Sequence, residues 1–137
     1  MNKFFDSTET KYWMLVDDNA DVLALTAELA GCLTDAHLEC FHSPQAALAA
    51  FAEAPEKFAL VITDFEMPGM DGVELCRRLR AIAPAQKVIL ATGSGFFTEA
   101  AARHAGFCGL LNKPFPMDAL RATLAEAGLE NALLAHA

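Results

Sequence analysis

Short apolar runs alternate along this chain with longer segments in which apolar residues recur every three or four positions. The short runs are residues 12–16, 37–41, 58–63, 87–92 and 107–111. Each has the length and the apolar content that are typical of a buried β-strand. The first run ends abruptly in Asp17 and Asp18. We therefore predict five strands, the first of which leads directly into a pair of carboxylates.

Helical signals occupy the stretches after these runs. Between residues 20 and 33, apolar side chains stand at spacings of three and four, which predicts a helix with one apolar face. Ser43 before Pro44 is a good pair for an N-cap and first turn, and Asp71 with Glu74 has the spacing of a capping box. Four further helices are predicted, from Pro44 to about Glu53, from Asp71 to about Ala83, from about Thr98 to His104, and from near Pro116 to at least Ala127. Pro84 is expected to end the second of these helices, and Gly128 the last.

Strands that alternate with helices predict one fold class. Such a chain forms a parallel sheet with helices on both faces, because each return to the same edge of the sheet needs a crossover. We therefore expect a doubly wound, three-layer α/β fold. A length of 137 residues fits a single domain. We expect residues 1–11 to form a flexible N-terminal tail, residues 12–128 the domain, and residues 129–137 an extension of the last helix or a tail.

The charge balance argues against two kinds of partner. Eighteen acidic and ten basic residues give a net charge of −8, and such a surface repels nucleic acid and anionic lipid. No apolar run approaches the ~20 residues of a membrane span, and residues 1–10 lack the apolar stretch of a secretory signal. Four cysteines without a CxxC pair favour buried, reduced thiols. We expect a cytoplasmic protein with no direct nucleic acid or membrane partner.

Polar side chains follow four of the predicted strands at the point where each strand ends. Asp17 and Asp18 follow the first strand, Asp64 the third and Lys113 the fifth, while Thr92 ends the fourth. Ligands of open α/β sheets bind beyond the carboxyl ends of the strands. We therefore expect three carboxylates, a hydroxyl and an ammonium group to meet at one edge of the sheet.

This combination of groups suits phosphoryl chemistry. Three carboxylates in one place repel one another, and a divalent cation such as Mg²⁺, which prefers oxygen ligands, relieves that repulsion. Lys113 adds a fixed positive charge, so that the site with its metal tolerates an incoming phosphoryl group. A carboxylate such as Asp64 is a competent nucleophile for an aspartyl phosphate. Each residue alone is ordinary, since an Asp at a strand end is more often a turn residue or a helix cap.

Four motifs carry a resemblance to a known family. They are LVDD at 15–18, ITDFEMPGMDG at 62–72, LATG at 90–93 and LNKPF at 111–115. With these motifs, the sequence resembles the receiver domain of bacterial response regulators over about residues 12–128. The resemblance implies a flavodoxin-like parallel sheet in the strand order 2-1-3-4-5. It also implies a signalling phosphoacceptor rather than an enzyme that turns over a substrate.

The resemblance assigns roles to individual residues. Asp64 matches the phosphoacceptor, and Asp18 and Asp64 match direct ligands of Mg²⁺, for which Mn²⁺ is an expected substitute. Asp17 matches an acidic neighbour that acts on the metal through water. The backbone carbonyl of Glu66 matches the third protein ligand of the metal. Lys113 matches the lysine that contacts the phosphoryl oxygens, and Pro114 matches a cis-proline that orients this lysine. Thr92 matches the hydroxyl that moves to bond the phosphoryl group.

Three further positions tune the family pattern or depart from it. Receiver domains usually have Tyr or Phe three residues before the lysine, where this chain has Leu110. An aliphatic side chain cannot make the same change between buried and exposed aromatic states, so the usual coupling of Thr92 to that ring is in question. Glu66 and Ser94 occupy positions that influence the lifetime of the phosphoryl group in the family. Glu66 is also a candidate partner for Lys113.

The main hypothesis is a regulatory phosphoacceptor of two-component signal transduction. The resemblance implies a histidine kinase or a histidine phosphotransfer protein as donor, and a downstream protein target that the sequence does not name. It also implies that phosphorylation changes the surface formed by the fourth helix, fifth strand and fifth helix, through which many family members form homodimers. The chain is either a stand-alone receiver or a receiver segment of a hybrid kinase.

Two other classes of function stay open at this point. A phosphatase of the haloacid-dehalogenase type also combines an Asp nucleophile with Mg²⁺, a hydroxyl and a Lys. That family has a DxD pair on its first strand, whereas Asp64 follows the third predicted strand and Glu66 stands two residues on. Leu110 keeps open a third hypothesis, a pseudo-receiver that binds a partner without phosphorylation, although the intact acidic set argues against it. Labelling by a small phosphodonor distinguishes it from a receiver.

Overall fold

The computed structural model describes residues 11–93 and 95–135. Its strands are β1 (Tyr12–Val16), β2 (His37–Phe41), β3 (Phe58–Thr63), β4 (Val88–Thr92) and β5 (Gly109–Asn112). Its helices are α1 (Ala20–Leu33), α2 (Pro44–Glu53), α3 (Gly72–Ile82), α4 (Glu99–His104) and α5 (Met117–Glu126). The predicted N-terminal tail, apart from Lys11, lies outside the described residues, as does Ser94.

The five strands form one parallel sheet in the order β2-β1-β3-β4-β5. This confirms the predicted doubly wound α/β fold and its strand order. The order brings β1 and β3 side by side, with Val16 opposite Thr63 at their carboxyl ends. The next residues, Asp17 and Asp64, therefore leave the sheet at neighbouring points.

The alternation of side chains along β1 divides the interior into two apolar layers. Trp13 and Leu15 pack in the layer that α1 and α5 cover, and Met14 and Val16 pack in the layer that α2, α3 and α4 cover. All four side chains are almost completely buried. Because both faces of the sheet are filled with apolar side chains, polar chemistry is confined to the rims of the sheet.

The fifth strand begins two residues later than the apolar pattern predicts. Phe107 is buried, but its N–H donates to the carbonyl of Ala102 at the end of α4. The N–H of the next residue, Cys108, is the first to bond toward β4, at 2.8 Å from the Val88 oxygen. Phe107 is therefore apolar because it closes a helix against the core, and not because it lies in a strand.

Residues 129–135 do not continue the last helix. The chain turns at Gly128, which has a φ of 85°, and Leu129 is buried in the α1/α5 layer. The Thr34 hydroxyl donates to the Ala132 carbonyl, and the Leu134 N–H donates to the Leu33 carbonyl, both at 2.8 Å. The C-terminal segment is thus fastened across the end of α1.

The four cysteines are free. Burial raises the pKa of the Cys76 thiol to about 11, which leaves it unreactive at neutral pH. Cys32 and Cys40 are exposed, on the outer side of α1 and on the edge strand β2, so the prediction of burial is wrong for these two. Among the described helices, none is long and apolar enough to cross a bilayer.

Candidate functional site

Three carboxylates meet where β1 and β3 end. One oxygen atom each of Asp17, Asp18 and Asp64 lies within 4.8 Å of the other two. The Asp17 N–H donates to the Phe41 carbonyl at 3.1 Å, and the Asp64 N–H donates to the Val16 carbonyl at 2.9 Å. Both backbones thus continue the hydrogen bonding of the sheet, so these carboxylates stand on its rigid rim.

Lys113 joins two of these carboxylates from the other side of the site. Its Nζ lies 2.8 Å from Oδ2 of Asp17 and 3.1 Å from Oδ1 of Asp64. Its backbone N–H donates to the carbonyl of Thr92, the last residue of β4. Burial lowers the pKa of Lys113, but hydrogen bonds and charge from Asp17 and Asp64 outweigh that effect and hold its pKa above the ordinary value. The ammonium group therefore stays charged.

The environment of Asp64 disfavours its negative charge. Burial is the largest effect and raises the pKa of Asp64, and the nearby charge of Asp17 raises it further. The hydrogen bond and charge of Lys113 and the backbone N–H of Phe65 lower it, but the net pKa lies above the ordinary value. One ammonium group thus leaves the cluster with surplus negative charge, which a further cation would relieve.

Asp17 and Asp18 differ in what they offer to a ligand. Asp17 is 6% exposed, and its Oδ1 accepts a hydrogen bond from the Asn19 N–H at 2.9 Å while Oδ2 binds Lys113. Asn19 in turn caps α1 through its side chain. Both carboxylate oxygens of Asp17 therefore already have hydrogen-bond partners, whereas Asp18 is exposed.

The donor set fits Mg²⁺. Two oxygens on one Mg²⁺, at the usual distance of about 2.1 Å, lie at most about 4.2 Å apart. Carboxylate oxygens within 4.8 Å of one another need only small side-chain adjustments to share such an ion. Asp18 and Glu66 also line an open depression, which leaves room for the waters that Mg²⁺ retains. The other lining residues of this depression are Phe65, Met67, Pro68 and Asp71.

The remaining predicted site residues are spread around this cluster. Thr92 is 2% exposed at the end of β4, and Leu110 is half-buried on β5 against the α2/α3/α4 layer. The Lys113–Pro114 peptide bond is cis. Glu66 is exposed, and within the described residues the ion pairs of Lys113 are made with Asp17 and Asp64. The expected Glu66–Lys113 pair is therefore wrong, because the two strand-end carboxylates already occupy the ammonium group.

Two contributions to the site were not predicted from the sequence. The Phe65 N–H helps to lower the pKa of the Asp64 carboxyl, and the Phe65 carbonyl accepts from the Gly72 N–H at 2.8 Å. A Cβ atom at Gly72 would lie 2.2 Å from the Asp64 carbonyl oxygen, so only glycine permits this approach. The signal was present in the sequence, since Gly72 directly follows the helix-capping Asp71.

Mg²⁺ is expected to raise the unfolding temperature at neutral pH, because the ion binds the folded carboxylate cluster and not the unfolded chain.

The raised pKa of Asp64 predicts how the stability of the metal-free protein depends on pH. The folded state binds this proton more tightly than the unfolded chain does. Stability therefore falls as the pH rises from the unfolded toward the folded pKa, and the loss is complete above the folded pKa.

Asp64→Asn removes that charge and is expected to stabilise the metal-free protein at neutral pH, with a gain that shrinks on acidification. The same substitution is expected to weaken the response to Mg²⁺. Thermal unfolding of both proteins, with and without Mg²⁺ and across the acidic range, measures these effects. An equal Mg²⁺ shift in both proteins would contradict a metal site at Asp64.

Comparison with known proteins identifies sequence relatives. Residues 14–125 match the family model described as the response regulator receiver domain. The C4-dicarboxylate transport transcriptional regulatory protein DctD of Rhizobium meliloti is 36% identical over 110 residues, which cover 77% of this chain and 23% of DctD. The virulence sensor protein BvgS of Bordetella bronchiseptica is 38% identical over 128 residues, which cover 88% of this chain and 10% of BvgS. The chain thus spans a quarter or less of either relative.

Solved structures share the fold. A response regulator receiver domain protein from Clostridium thermocellum superposes with a TM-score of 0.78, covering 88% of this chain and 95% of that one. Its sequence identity to this chain is 24%, so the likeness shows the fold alone.

Proposed function

This chain belongs to the family of response regulator receiver domains, and from that premise we propose that Asp64 is its phosphoacceptor. Receiver domains are signalling modules of two-component systems and not classical enzymes. The observation that supports the proposal best is the position of Lys113, whose Nζ bridges Asp17 and Asp64 at the rim of the sheet. A fixed cation beside a carboxylate nucleophile is what phosphoryl transfer requires.

In the proposed reaction, a carboxylate oxygen of Asp64 attacks the phosphorus atom of the donor. The bond between phosphorus and the leaving atom of the donor breaks, and that atom keeps the bonding electrons. Lys113 then contacts the oxygens of the transferred group, and Asp17 holds the ammonium group in place from the other side. Because Lys113 lies 3.1 Å from the Asp64 oxygen before the transfer, it needs to move little.

The metal has a supporting role in this proposal. Asp18, Asp64 and the backbone carbonyl of Glu66 are the groups that we propose hold Mg²⁺, with Asp17 acting through water. The ion supplies positive charge near the phosphoryl oxygens when it is bound. The exposure of Asp18 supports this division, since Asp17 is already bonded to Asn19 and Lys113.

The readout is proposed to pass through Thr92 and Lys113. Thr92 ends β4, and Lys113 directly follows β5, so both stand where the α4, β5 and α5 surface begins. A new hydrogen bond from the Thr92 hydroxyl to the phosphoryl group would favour one arrangement of that surface over another. We propose that the target protein and a second copy of the chain both bind to the α4, β5 and α5 surface. Amide chemical shifts that move elsewhere on phosphorylation, but not in these elements, would exclude this route.

The donor is proposed to be a histidine kinase or a histidine phosphotransfer protein. The relatives support this indirectly, since one is named as a sensor protein and the other as a regulatory protein. Small phosphodonors are expected to react as well, because the catalytic groups all belong to this chain.

Acetyl phosphate is expected to label the protein in the presence of Mg²⁺, and Asp64→Ala is expected to abolish the label. Radiolabelled acetyl phosphate and a phosphorylated histidine phosphotransfer protein serve as donors in parallel. Asp35→Ala is the control, because Asp35 is another aspartate but is exposed and lies on the turn before β2, at the opposite rim. It is expected to label like the wild type. A wild type that takes no label from either donor, or a label that persists in Asp64→Ala, would exclude the proposed function.

A further inference from the structure

Three phenylalanine rings beside Asp64 are not used by the proposed chemistry. Phe65 follows Asp64 directly, and Phe96 and Phe97 belong to the segment between β4 and α4. The centroid of the Phe65 ring lies 4.9 Å from that of Phe97, edge to face, and 6.1 Å from that of Phe96, stacked. Phe96 and Phe97 meet edge to face at 5.5 Å. These three residues, here called the aromatic cluster, join two loops at favourable ring geometries.

Burial in the hydrophobic core does not account for the position of the Phe96 ring. Phe96 is 73% exposed, whereas Phe65 and Phe97 are partly buried and pack against the α2/α3/α4 layer. A ring so exposed contributes little hydrophobic stabilisation to the fold. It nevertheless contacts two other rings next to the phosphoacceptor. Its removal is therefore expected to leave the fold intact while it changes the surroundings of Asp64.

The backbone of Phe65 fixes the aromatic cluster to the phosphoacceptor. Phe65 is joined to Asp64 by a peptide bond, and its carbonyl accepts a hydrogen bond from the Gly72 N–H at 2.8 Å. The peptide bond and this hydrogen bond hold the backbone of Phe65 next to the phosphoacceptor. The side chain of Asp64 is only 12% exposed, so the few groups around it determine how water reaches it.

We propose that the aromatic cluster shields the phosphoryl group on Asp64 from water and thereby lengthens its lifetime. This inference rests on the proposed function, because it concerns the aspartyl phosphate. In the loss reaction, a water oxygen bonds to phosphorus and the bond from phosphorus to the Asp64 oxygen breaks. The Asp64 carboxylate is regenerated, inorganic phosphate leaves, and the surplus proton passes to the solvent.

Carbon rings offer water no strong hydrogen bonds and so disfavour its residence beside the reacting bond. Phe65, Phe96 and Phe97 are positioning residues in this scheme, because they act on the access of water and not on the reacting atoms. The scheme places the control of the lifetime partly on a ring at the protein surface, which a bound partner could cover or displace.

Phe96→Ala is expected to speed the loss of label by about two- to tenfold. This factor is the one by which losing the aromatic ring contacts would shift an equilibrium between a closed and an open cluster. The protein is labelled with radiolabelled acetyl phosphate, freed of donor, and followed in Mg²⁺. Ile82→Ala is the matched control, since Ile82 is another exposed apolar side chain, at 43%, and lies at the far end of α3. Phe96→Tyr keeps the ring and is expected to retain the wild-type rate.

A second ringless variant, Phe96→Leu, tests whether the effect of Phe96→Ala comes from loss of the aromatic ring. Phe96→Leu is apolar but has no ring, and it is also expected to lose its label faster than the wild type. The inference is overturned if both ringless variants decay at the rate of Ile82→Ala, or if Phe96→Tyr decays as fast as they do. A wild type that takes no label excludes the proposed function itself, which is a different result.

Discussion

Lys113→Ala is expected to reduce labelling of Asp64 by acetyl phosphate by roughly 100-fold or more. The estimate follows from the cost of removing one fixed donor that contacts charge developing in a transition state. Lys113 is the ammonium group between Asp17 and Asp64, and its side chain is only 17% exposed. Bulk water therefore replaces its charge poorly. Without it, an incoming phosphoryl group would approach three carboxylates whose charge only a bound metal ion would compensate.

Lys57→Ala is the matched control for this experiment. Lys57 also forms an ion pair, at 3.1 Å to Glu39, but it lies before β3 at the opposite rim of the sheet. Initial labelling rates of the wild type and both variants, at one Mg²⁺ concentration and pH, measure the effect. A Lys113→Ala rate within about twofold of the Lys57→Ala rate would remove Lys113 from the mechanism.

Gly72→Ala is expected to destabilise the protein by about 3 kcal/mol, at the upper end of the usual cost of overpacking. The added Cβ would lie 2.2 Å from the Asp64 carbonyl oxygen, 3.1 Å from the Asp64 carbonyl carbon and 3.2 Å from the Phe65 Cα. All three are backbone atoms, so no rotation of a side chain relieves the contact. The backbone that carries Asp64 has to move, and labelling is expected to fall as well.

Gly31→Ala is the opposite case within the same protein. Gly31 lies inside α1, and within the part of the chain that the structure describes a Cβ there meets only the Leu38 Cδ1 atom, at 4.0 Å. Alanine is favoured over glycine in a helix interior, so this variant is expected to gain about 0.5–1 kcal/mol. Urea unfolding of both variants measures the difference. If Gly72→Ala is no less stable than the wild type, the close approach at Asp64 does not constrain this loop.

The fold could be predicted because local signals and the global fold agree. In β1, the run YWMLV has the right length for a strand, and its alternate residues fill opposite layers of the sheet. Ser43 caps α2, Asp71 caps α3 and Thr98 caps α4, each through its own side chain. Such signals act within a few residues and need no knowledge of the rest of the chain.

Where apolar residues serve tertiary contacts, the same reasoning was less accurate. Phe107 has the character of a strand residue but closes α4, and Leu129 belongs to the core although α5 has already ended. Hydrophobicity indicates that a residue is buried, but it does not say which element buries it. The path of the C-terminal segment depends on hydrogen bonds to α1, a hundred residues earlier in the chain.

The sequence by itself determined the order of the elements and the positions of Asp17, Asp64, Thr92 and Lys113 at or just after the ends of their strands. It did so because apolar periodicity and turn chemistry are local properties of the chain. Only the tertiary structure decided that Lys113 pairs with Asp17 and Asp64 and not with Glu66, and that Phe65 meets Phe96 and Phe97. Those choices depend on distances between groups that lie far apart in the chain, which only the packed sheet and its loops define.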